Sequence, residues 1–254
     1  MQLPPIGLGT MGIEDAETIA TALECGYRHL DTAQVYGNED VVGEGLARST
    51  VPREDVVVAT KVWADSLAPG SVRETTAESL ERLGLDGIDL LYVHRPIEAY
   101  EPDRTLPAFD ELCDEGTIGG VGLSNFSVAE LETAADVLEA PIAAHQVEYH
   151  PLFQPVDVLE HARENEYPLV AYSPLANGRA GEIDAVVDIA RRRETSPEAV
   201  CLVWLAAKDG VVTIPKASSR EHLEANLEAL ELELDVDELE RIDAVERTEE
   251  LFPE

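Results

Sequence analysis

Lysine is almost absent from this chain of 254 residues, in which 18 lysine and arginine residues face 52 aspartate and glutamate residues. The resulting formal net charge of −34 repels nucleic-acid phosphates and anionic lipid headgroups, so neither is expected as a partner. A surface of hydrated carboxylates is suited to concentrated salt, where screening removes the self-repulsion. The alternative is an ordinary acidic protein with an acidic tail, but the acidic residues run from Glu14 to Glu254. The composition therefore favours a halophilic protein.

Long apolar runs, cysteine pairs and linkers are also missing. No apolar run approaches the ~20 residues of a membrane helix, and the N-terminus lacks the basic and apolar regions of a signal peptide. The three cysteines form no C-x-x-C pattern, which disfavours a disulfide framework or a metal site. No stretch rich in proline, glycine or serine divides the chain. We expect a cytoplasmic monomer with one domain over residues 1–254.

Short β-branched or apolar runs alternate with longer amphipathic stretches along the whole chain, a pattern typical of repeated βα units. Eight segments are predicted to be strands: 6–9, 28–31, 56–60, 88–94, 119–123, 143–147, 169–172 and 211–214. Helices are predicted at 15–25, 39–48, 71–83, 105–115, 128–138, 156–165, 183–193, 197–208, 221–230 and 236–245. Eight units of this length predict an α/β fold, a closed (β/α)8 TIM barrel in a single domain.

A doubly wound open sheet is the alternative architecture. The segment G-L-G-T-M-G at residues 7–12 has the glycine spacing of its dinucleotide-binding fingerprint. No ribose-binding acid follows about 20 residues later in a matching βαβ unit, so this signal is weak on its own. A barrel makes a further demand, because its active site lies at the carboxyl ends of the strands. Polar residues do collect there: Asp31, Lys61, His94, Ser124, Asn125, Gln146, Glu148, Tyr172, Ser173 and Lys216.

Lys61 is one of only three lysines and stands at the end of an apolar strand. A buried ammonium is costly without a carboxylate, and Asp31 at the neighbouring strand end is the natural partner. A phenol such as Tyr36 has a lowered pKa beside a lysine and can donate a proton to an oxyanion. His94 is placed to supply a hydrogen bond to the same oxygen. An ordinary salt bridge at the barrel mouth is the alternative for Lys61.

Seven motifs in order carry a resemblance to a known family. They are G-Y-R-H-L-D-T-A…Y-G-N, A-T-K-V-W, D-L-L-Y-V-H-R-P, G-L-S-N-F, Q-V-E-Y-H-P, A-Y-S-P-L and I-P-K-A-S-S…N. Together they resemble the aldo-keto reductase family over nearly the whole chain, from Gly7 to about Leu251. Because the segment between His94 and Gly119 is short, the chain most resembles compact prokaryotic members similar to 2,5-diketogluconate reductases.

The resemblance implies a barrel that transfers hydride from NADPH, with NADH as an accepted alternative, to a small-molecule aldehyde or ketone. It places Asp31, Tyr36, Lys61 and His94 on the catalytic tetrad, with Tyr36 as general acid. It implies that Ser124, Asn125 and Gln146 hold the cofactor carboxamide and that Tyr172 stacks on the nicotinamide ring. It also implies that Ser173 and Leu175 lie in the loop over the pyrophosphate, and that Lys216 and Asn226 lie around the adenosine phosphate and adenine. Many members have tryptophan where this chain has Met11 and Arg95, which leaves Trp63 as the aromatic wall of the substrate pocket.

Two departures from the family pattern affect the cofactor and substrate ends. The family's cofactor motif usually has a serine after the lysine and an arginine six residues after it that binds the 2′-phosphate. Ala217 and His222 stand at these positions here, which weakens an NADPH preference. Arg220 can supply a second cation if its side chain turns inward. Arg95 can bind a substrate carboxylate, or it pairs with a surface acid. The chain ends soon after its last helix, so an open and tolerant pocket is expected.

Three functions remain to be compared. The first is an NAD(P)H-dependent carbonyl reductase, and the second is a non-catalytic nicotinamide-binding subunit of the same fold. A pure binding module has no need of Tyr36 beside Lys61, so the complete tetrad favours the enzyme. The third, a barrel isomerase or lyase for phosphorylated sugars, requires a glycine-rich loop where Pro174 and Pro215 stand.

Overall fold

Eight parallel strands form one sheet in the computed structural model, which describes residues 2–252. Their order follows the chain, and each strand pairs in parallel with the next. Ile6 also bridges Thr213 in parallel, and the Gly7 amide donates to the Thr213 carbonyl at 2.8 Å. The last strand therefore meets the first, which closes the sheet into a (β/α)8 barrel and excludes the open doubly wound alternative.

The strands are short and begin and end close to the predicted positions. They are β1 Leu8–Gly9, β2 His29–Asp31, β3 Val57–Val62, β4 Leu90–Val93, β5 Val121–Ser124, β6 Ile142–Glu148, β7 Leu169–Tyr172 and β8 Val211–Thr213. Strand β3 runs two residues further than predicted, so Lys61 lies inside it rather than after it. The side chains of Ala59 and Lys61 share one face of β3, since side chains alternate along a strand. Ala59 packs inside the barrel, so Lys61 points inward as well.

Ten α-helices surround the barrel within the described residues. They are α1 Ala16–Cys25, α2 Glu39–Arg48, α3 Pro69–Leu83, α4 Pro102–Asp114, α5 Val128–Val137, α6 Val156–Glu164, α7 Asp184–Arg193, α8 Pro197–Ala206, α9 Arg220–Glu228 and α10 Val236–Asp243. Helix α4 begins three residues before the predicted start, because Pro102 suits the first turn of a helix. No helix within residues 2–252 is long and apolar enough to cross a membrane.

Capping residues explain where several helices begin and end. The Asp15 carboxylate accepts from the Glu17 amide at 3.0 Å and starts α1. Gly26 ends the same helix with a φ of 122°, a conformation that favours glycine. Ser127 and Glu130 form a reciprocal capping box at the start of α5. These local signals set where α1 begins and ends and where α5 begins.

Two apolar clusters form the core. The larger one lies between the strands and the helices. The smaller fills the barrel interior: Ala59, Leu90, Tyr92, Ala144, Val170, Val212 and Ile214. A Cβ on Gly122 would lie 2.4 Å from the Tyr92 ring, so this glycine makes room for a large side chain inside the barrel. This apolar cluster fills the barrel interior and supports the polar residues at the carboxyl ends of the strands.

Candidate active site

A cavity of about 560 Å³ opens at the carboxyl ends of the strands. All but two of the site residues expected from the sequence line it: Met11, Asp31, Tyr36, Trp63, His94, Arg95, Ser124, Asn125, Gln146, Tyr172, Ser173, Leu175 and Lys216. The exceptions are Lys61, which is buried and does not line the cavity, and Asn226 in α9. The fold therefore brings residues from all eight strand ends together at one end of the barrel.

Lys61 and Asp31 form a buried ion pair at the floor of this cavity. The Lys61 ammonium lies 2.5 Å from Asp31 Oδ1, and the two side chains are only 1% and 2% exposed. The ammonium also donates to the Thr32 carbonyl at 2.8 Å. Its Nζ lies 5.2 Å from the centre of the Tyr36 ring. Lys61 therefore joins a carboxylate to a phenol inside the barrel, which a salt bridge at the barrel mouth would not do.

The pKa of Tyr36 differs from the sequence-based prediction. Burial raises the pKa of this phenol, while the positive charge of Lys61 acts in the opposite direction. The net shift is upward, so the prediction of a lowered pKa was wrong because it left out desolvation. A raised pKa keeps Tyr36 protonated at neutral pH, which is the state that a proton donor needs.

His94 lies beside Tyr36 and is nearly buried. Its ring is edge-on to the rings of Trp63 at 4.9 Å and Tyr36 at 6.1 Å. Burial, together with the positive charges of Lys61 and Arg95, lowers the pKa of His94 to about 2. The imidazole is therefore neutral at working pH and can orient a carbonyl oxygen without being the source of the proton.

Three polar side chains from β5 and β6 form one wall. Gln146 Nε2 donates to Asp31 Oδ2 at 2.7 Å, which leaves the Gln146 amide oxygen as an acceptor. Asn125 donates to the His94 carbonyl and to Ser124 Oγ, both at 3.0 Å, and accepts from the Tyr172 hydroxyl at 2.9 Å. Asn125 holds a left-handed φ of 61°. Both the nitrogen and the oxygen of the Asn125 side-chain amide are therefore hydrogen-bonded to the protein.

The opposite end of the cavity carries little positive charge. Lys216 lines the cavity and is exposed, and no ion pair joins it to another residue within residues 2–252. Arg220 instead binds Glu24 at 2.7 Å and Glu224 at 3.4 Å. These ion pairs hold the Arg220 side chain on the acidic side chains of α1 and α9. Asn226 is buried beside Tyr27 and does not line the cavity.

The C-terminal segment covers part of the cavity, which the sequence did not predict. Phe252 lines it, and its ring lies edge-on to Tyr172 at 5.9 Å. Arg95 donates to the Phe252 carbonyl at 3.0 Å and makes no ion pair within the part of the chain that the structure describes. The expected open pocket therefore has an additional wall here. The only sequence signal for this wall was the presence of Phe252 near the C-terminus. No sequence pattern indicates where that side chain packs.

The chain belongs to the aldo/keto reductase family, whose model matches residues 5–247. It is 34% identical to the methylglyoxal reductase DkgB of Escherichia coli O157:H7, over 99% of this chain and 96% of the relative. It is 32% identical to the glyoxal reductase of Bacillus subtilis (strain 168), over 100% of this chain and 92% of the relative. The protein is accordingly an NAD(P)H-dependent oxidoreductase that reduces carbonyl groups. Nothing in these relationships supports a non-catalytic binding subunit.

Solved structures of the family show the same fold. The structure of a putative 2,5-diketo-D-gluconic acid reductase B matches with a TM-score of 0.91 and 34% identity, over 94% of this chain and 86% of that one. The aldo-keto reductase MGS-M4, from a Medee basin deep-sea metagenome library, matches with a TM-score of 0.93 and 31% identity, over 100% of this chain and 95% of that one. The resemblance found in the sequence motifs is thus confirmed, together with the barrel.

The donor set of the cavity fits a nicotinamide cofactor. A carboxamide needs both donors and acceptors. The Ser124 hydroxyl and the second Gln146 N–H can still donate, and the amide oxygens of Asn125 and Gln146 can accept. The aromatic side chain of Tyr172 also lines the cavity, and an aromatic ring can stack on a planar nicotinamide. Ser173 at a φ of 50° begins a turn that carries the chain along the cavity wall. These residues would hold the nicotinamide end, and Lys216 would face the adenosine phosphate.

Proposed function

We propose that the protein reduces small aldehydes and ketones with Tyr36 as the proton donor, and that Asp31, Lys61 and His94 complete the catalytic set. The observation that carries this proposal is the buried Asp31–Lys61 ion pair, whose ammonium lies beside the ring of the half-buried Tyr36, with neutral His94 alongside. A bound reduced nicotinamide supplies the hydride. Tyr36 donates its phenolic proton to the carbonyl oxygen as negative charge develops there.

The remaining residues of the set act on this proton transfer. The Lys61 ammonium opposes the upward pKa shift that burial imposes on Tyr36, so the phenol gives up its proton more readily than it would without the charge. Asp31 holds the ammonium in place, and Gln146 holds the second oxygen of Asp31. His94 donates a hydrogen bond to the carbonyl oxygen. The charge that forms on oxygen thus meets preorganised donors away from bulk water.

The cavity wall supports a proposal about the size and chemistry of the substrate. Trp63, Phe252 and Met11 are apolar, whereas Arg95 keeps further N–H donors beyond the one bound to Phe252. We propose that Arg95, Trp63 and Met11 contact the substrate and that short dicarbonyl compounds and keto acids are preferred. Named relatives that act on methylglyoxal and glyoxal support the small size. Purified protein with NADPH or NADH, tested in molar KCl against aldehydes, dicarbonyls and keto acids, measures this preference by kcat/KM.

The cofactor preference is proposed to be modest, with NADPH favoured and NADH accepted. Lys216 is the cation at the adenosine end, and Arg220 is bound to Glu24 and Glu224. His222→Arg should raise the ratio of kcat/KM for NADPH over NADH by about tenfold, because a charge-assisted bond to phosphate contributes about 1.5–3 kcal/mol before screening. His222→Gln is the uncharged control. A wild type that strongly prefers NADH, or an unchanged ratio in His222→Arg, would contradict this assignment.

We further propose that the protein works in the salt-rich cytoplasm of a halophilic microbe. At a net charge of −34, unscreened repulsion between carboxylates destabilises the compact state at low salt. The thermal midpoint should rise by more than about 10 °C between about 0.1 M and about 2 M KCl, at about 2–4 °C per kcal/mol of stability for a domain of this size. Sucrose, which does not screen charge, is the control. Equal thermal midpoints at the two KCl concentrations would contradict the proposal that the protein is adapted to high salt.

A further inference from the structure

Glu148 is a buried carboxylate two residues after Gln146 on strand β6, and the proposed chemistry does not use it. Its side chain is 2% exposed. Glu148 Oε1 accepts from the Leu251 amide at 2.7 Å, and Oε2 accepts from the Phe252 amide at 3.0 Å. A third contact joins Oε1 to His150 Nε2 at 2.7 Å. A residue in the barrel thus binds consecutive amides more than a hundred positions further along the chain.

In the third contact, His150 Nε2 donates a hydrogen bond to Glu148 Oε1. The Leu152 amide donates to His150 Nδ1 at 3.2 Å, so Nδ1 is the acceptor nitrogen and Nε2 carries the hydrogen. All three groups that meet Glu148 are therefore N–H donors. A carboxylate accepts on both oxygens, whereas an amide presents N–H on one side. In a Glu148→Gln variant, either orientation of the amide sets an NH2 group against at least one of these donors.

These contacts fix the part of the C-terminal segment that reaches the cavity. With its amide on Glu148, Phe252 turns its ring to Tyr172 and its carbonyl to Arg95. The Glu249 amide donates to the Leu152 carbonyl at 2.7 Å, and the Arg179 guanidinium binds the Glu249 carboxylate. The aromatic wall and the position of Arg95 therefore depend on the hydrogen bonds that Glu148 accepts.

We propose that Glu148 is a specificity-determining positioning residue, which fastens residues 251–252 over the substrate end of the cavity and restricts it to compact carbonyl compounds. The inference rests on the proposed function for its effect on substrates. Its structural half, the fastening itself, does not depend on any activity. Glu148 touches neither the proton donor nor the ion pair at the cavity floor in the hydrogen bonds that it makes.

Hydrogen exchange of the protein without ligands tests the fastening. In Glu148→Gln, amide exchange in the peptide covering 249–252 should be at least about tenfold faster than in the wild type, because exchange follows local opening. Glu39→Gln is the matched control. Glu39 is a similarly buried carboxylate, bound to Thr60 and Arg82 on the other side of the barrel wall. Unchanged exchange of this peptide in Glu148→Gln would overturn the proposal.

Kinetics test the effect on specificity and separate it from a merely structural role. Glu148→Gln should raise KM for a short dicarbonyl about tenfold while kcat and the cofactor Kd stay within about threefold, since one aromatic wall is lost and the proton donor is not. The ratio of kcat/KM for a bulky aromatic ketone over the dicarbonyl should rise. Equal losses for both substrates, or a loss confined to kcat, would contradict a role in specificity.

A truncation keeps the test independent of whether Glu148→Gln folds. Removing residues 251–254 leaves Glu148 intact and takes away two of its three donors. The truncated protein should show the same rise in KM and in the bulky-substrate ratio, and adding Glu148→Gln to it should change neither further. A truncated protein with wild-type KM and ratio would overturn the proposal. If the wild type reduces no carbonyl compound, the proposed function fails, while the hydrogen exchange still decides whether Glu148 fastens the segment.

Discussion

Tyr36→Phe should lower kcat for carbonyl reduction by about 10²–10⁴-fold while the Kd of the nicotinamide cofactor stays nearly unchanged, because the phenolic proton is needed only as charge develops on the carbonyl oxygen. The aromatic ring, its packing against His94 and the shape of the cavity are retained in the variant. Steady-state kinetics with saturating cofactor and a fluorescence titration of cofactor binding give the two quantities.

Tyr167→Phe is the matched control for this experiment. Tyr167 loses an equivalent hydroxyl, bound to His161 Nδ1 at 2.7 Å, from a site that does not line the active-site cavity. The kcat of the Tyr167→Phe enzyme should equal that of the wild type. A Tyr36→Phe enzyme with wild-type kcat would show that the proton comes from elsewhere. His94 is a poor replacement, because burial lowers its pKa to about 2 and so keeps the imidazole neutral.

Lys61→Met should abolish turnover and also destabilise the fold by about 3–5 kcal/mol, because it leaves the Asp31 carboxylate buried without its counter-charge. The ion pair is nearly inaccessible to solvent, so water cannot replace the lost ammonium. Urea unfolding at a fixed KCl concentration measures the free energy. The contribution of the lysine to catalysis is read separately, under conditions in which the variant is folded.

Two comparison variants separate the charge effect from lost packing. Lys208→Met removes a lysine whose partner Asp243 is 46% exposed and so stays hydrated, and the loss should cost only about 1 kcal/mol. A double variant with Asp31→Asn and Lys61→Met removes both buried charges and should recover much of the stability. A Lys61→Met protein as stable as the Lys208→Met protein would contradict the assignment of a tight buried pair.

The sequence was sufficient to predict the barrel, and it named most of the residues that line the candidate site. Polar residues at successive strand ends must meet in a closed barrel, and Lys61 was predicted to stand at the end of β3. The Asp31–Lys61 pair follows from the same geometry, because a buried ammonium between apolar residues requires a carboxylate. These inferences use periodicity and adjacency of strands, which a single sequence does contain.

Contacts between distant segments could not be predicted in the same way. The Gln146 bond to Asp31 and the Phe252 contact with Arg95 join residues far apart in the chain, and no periodic pattern indicates such pairs. Glu148 did carry a signal, since it follows Gln146 by two residues and so shares its face of β6. What it binds there depends on how the C-terminal segment folds back. The direction of the Tyr36 pKa shift likewise depends on the balance between burial and charge.

The transfer of a labelled hydride tests the central claim most directly. NADPH carrying deuterium at the transferable position of its reduced ring is mixed with the protein and a short aldehyde in molar KCl, and the product is analysed by mass spectrometry. Direct hydride transfer predicts one deuterium on the former carbonyl carbon for each nicotinamide oxidised, with the alcohol proton taken from the protein and solvent. An alcohol without deuterium, or no oxidation of either NADPH or NADH with any carbonyl compound, would contradict the assignment of this cavity as a carbonyl reductase site.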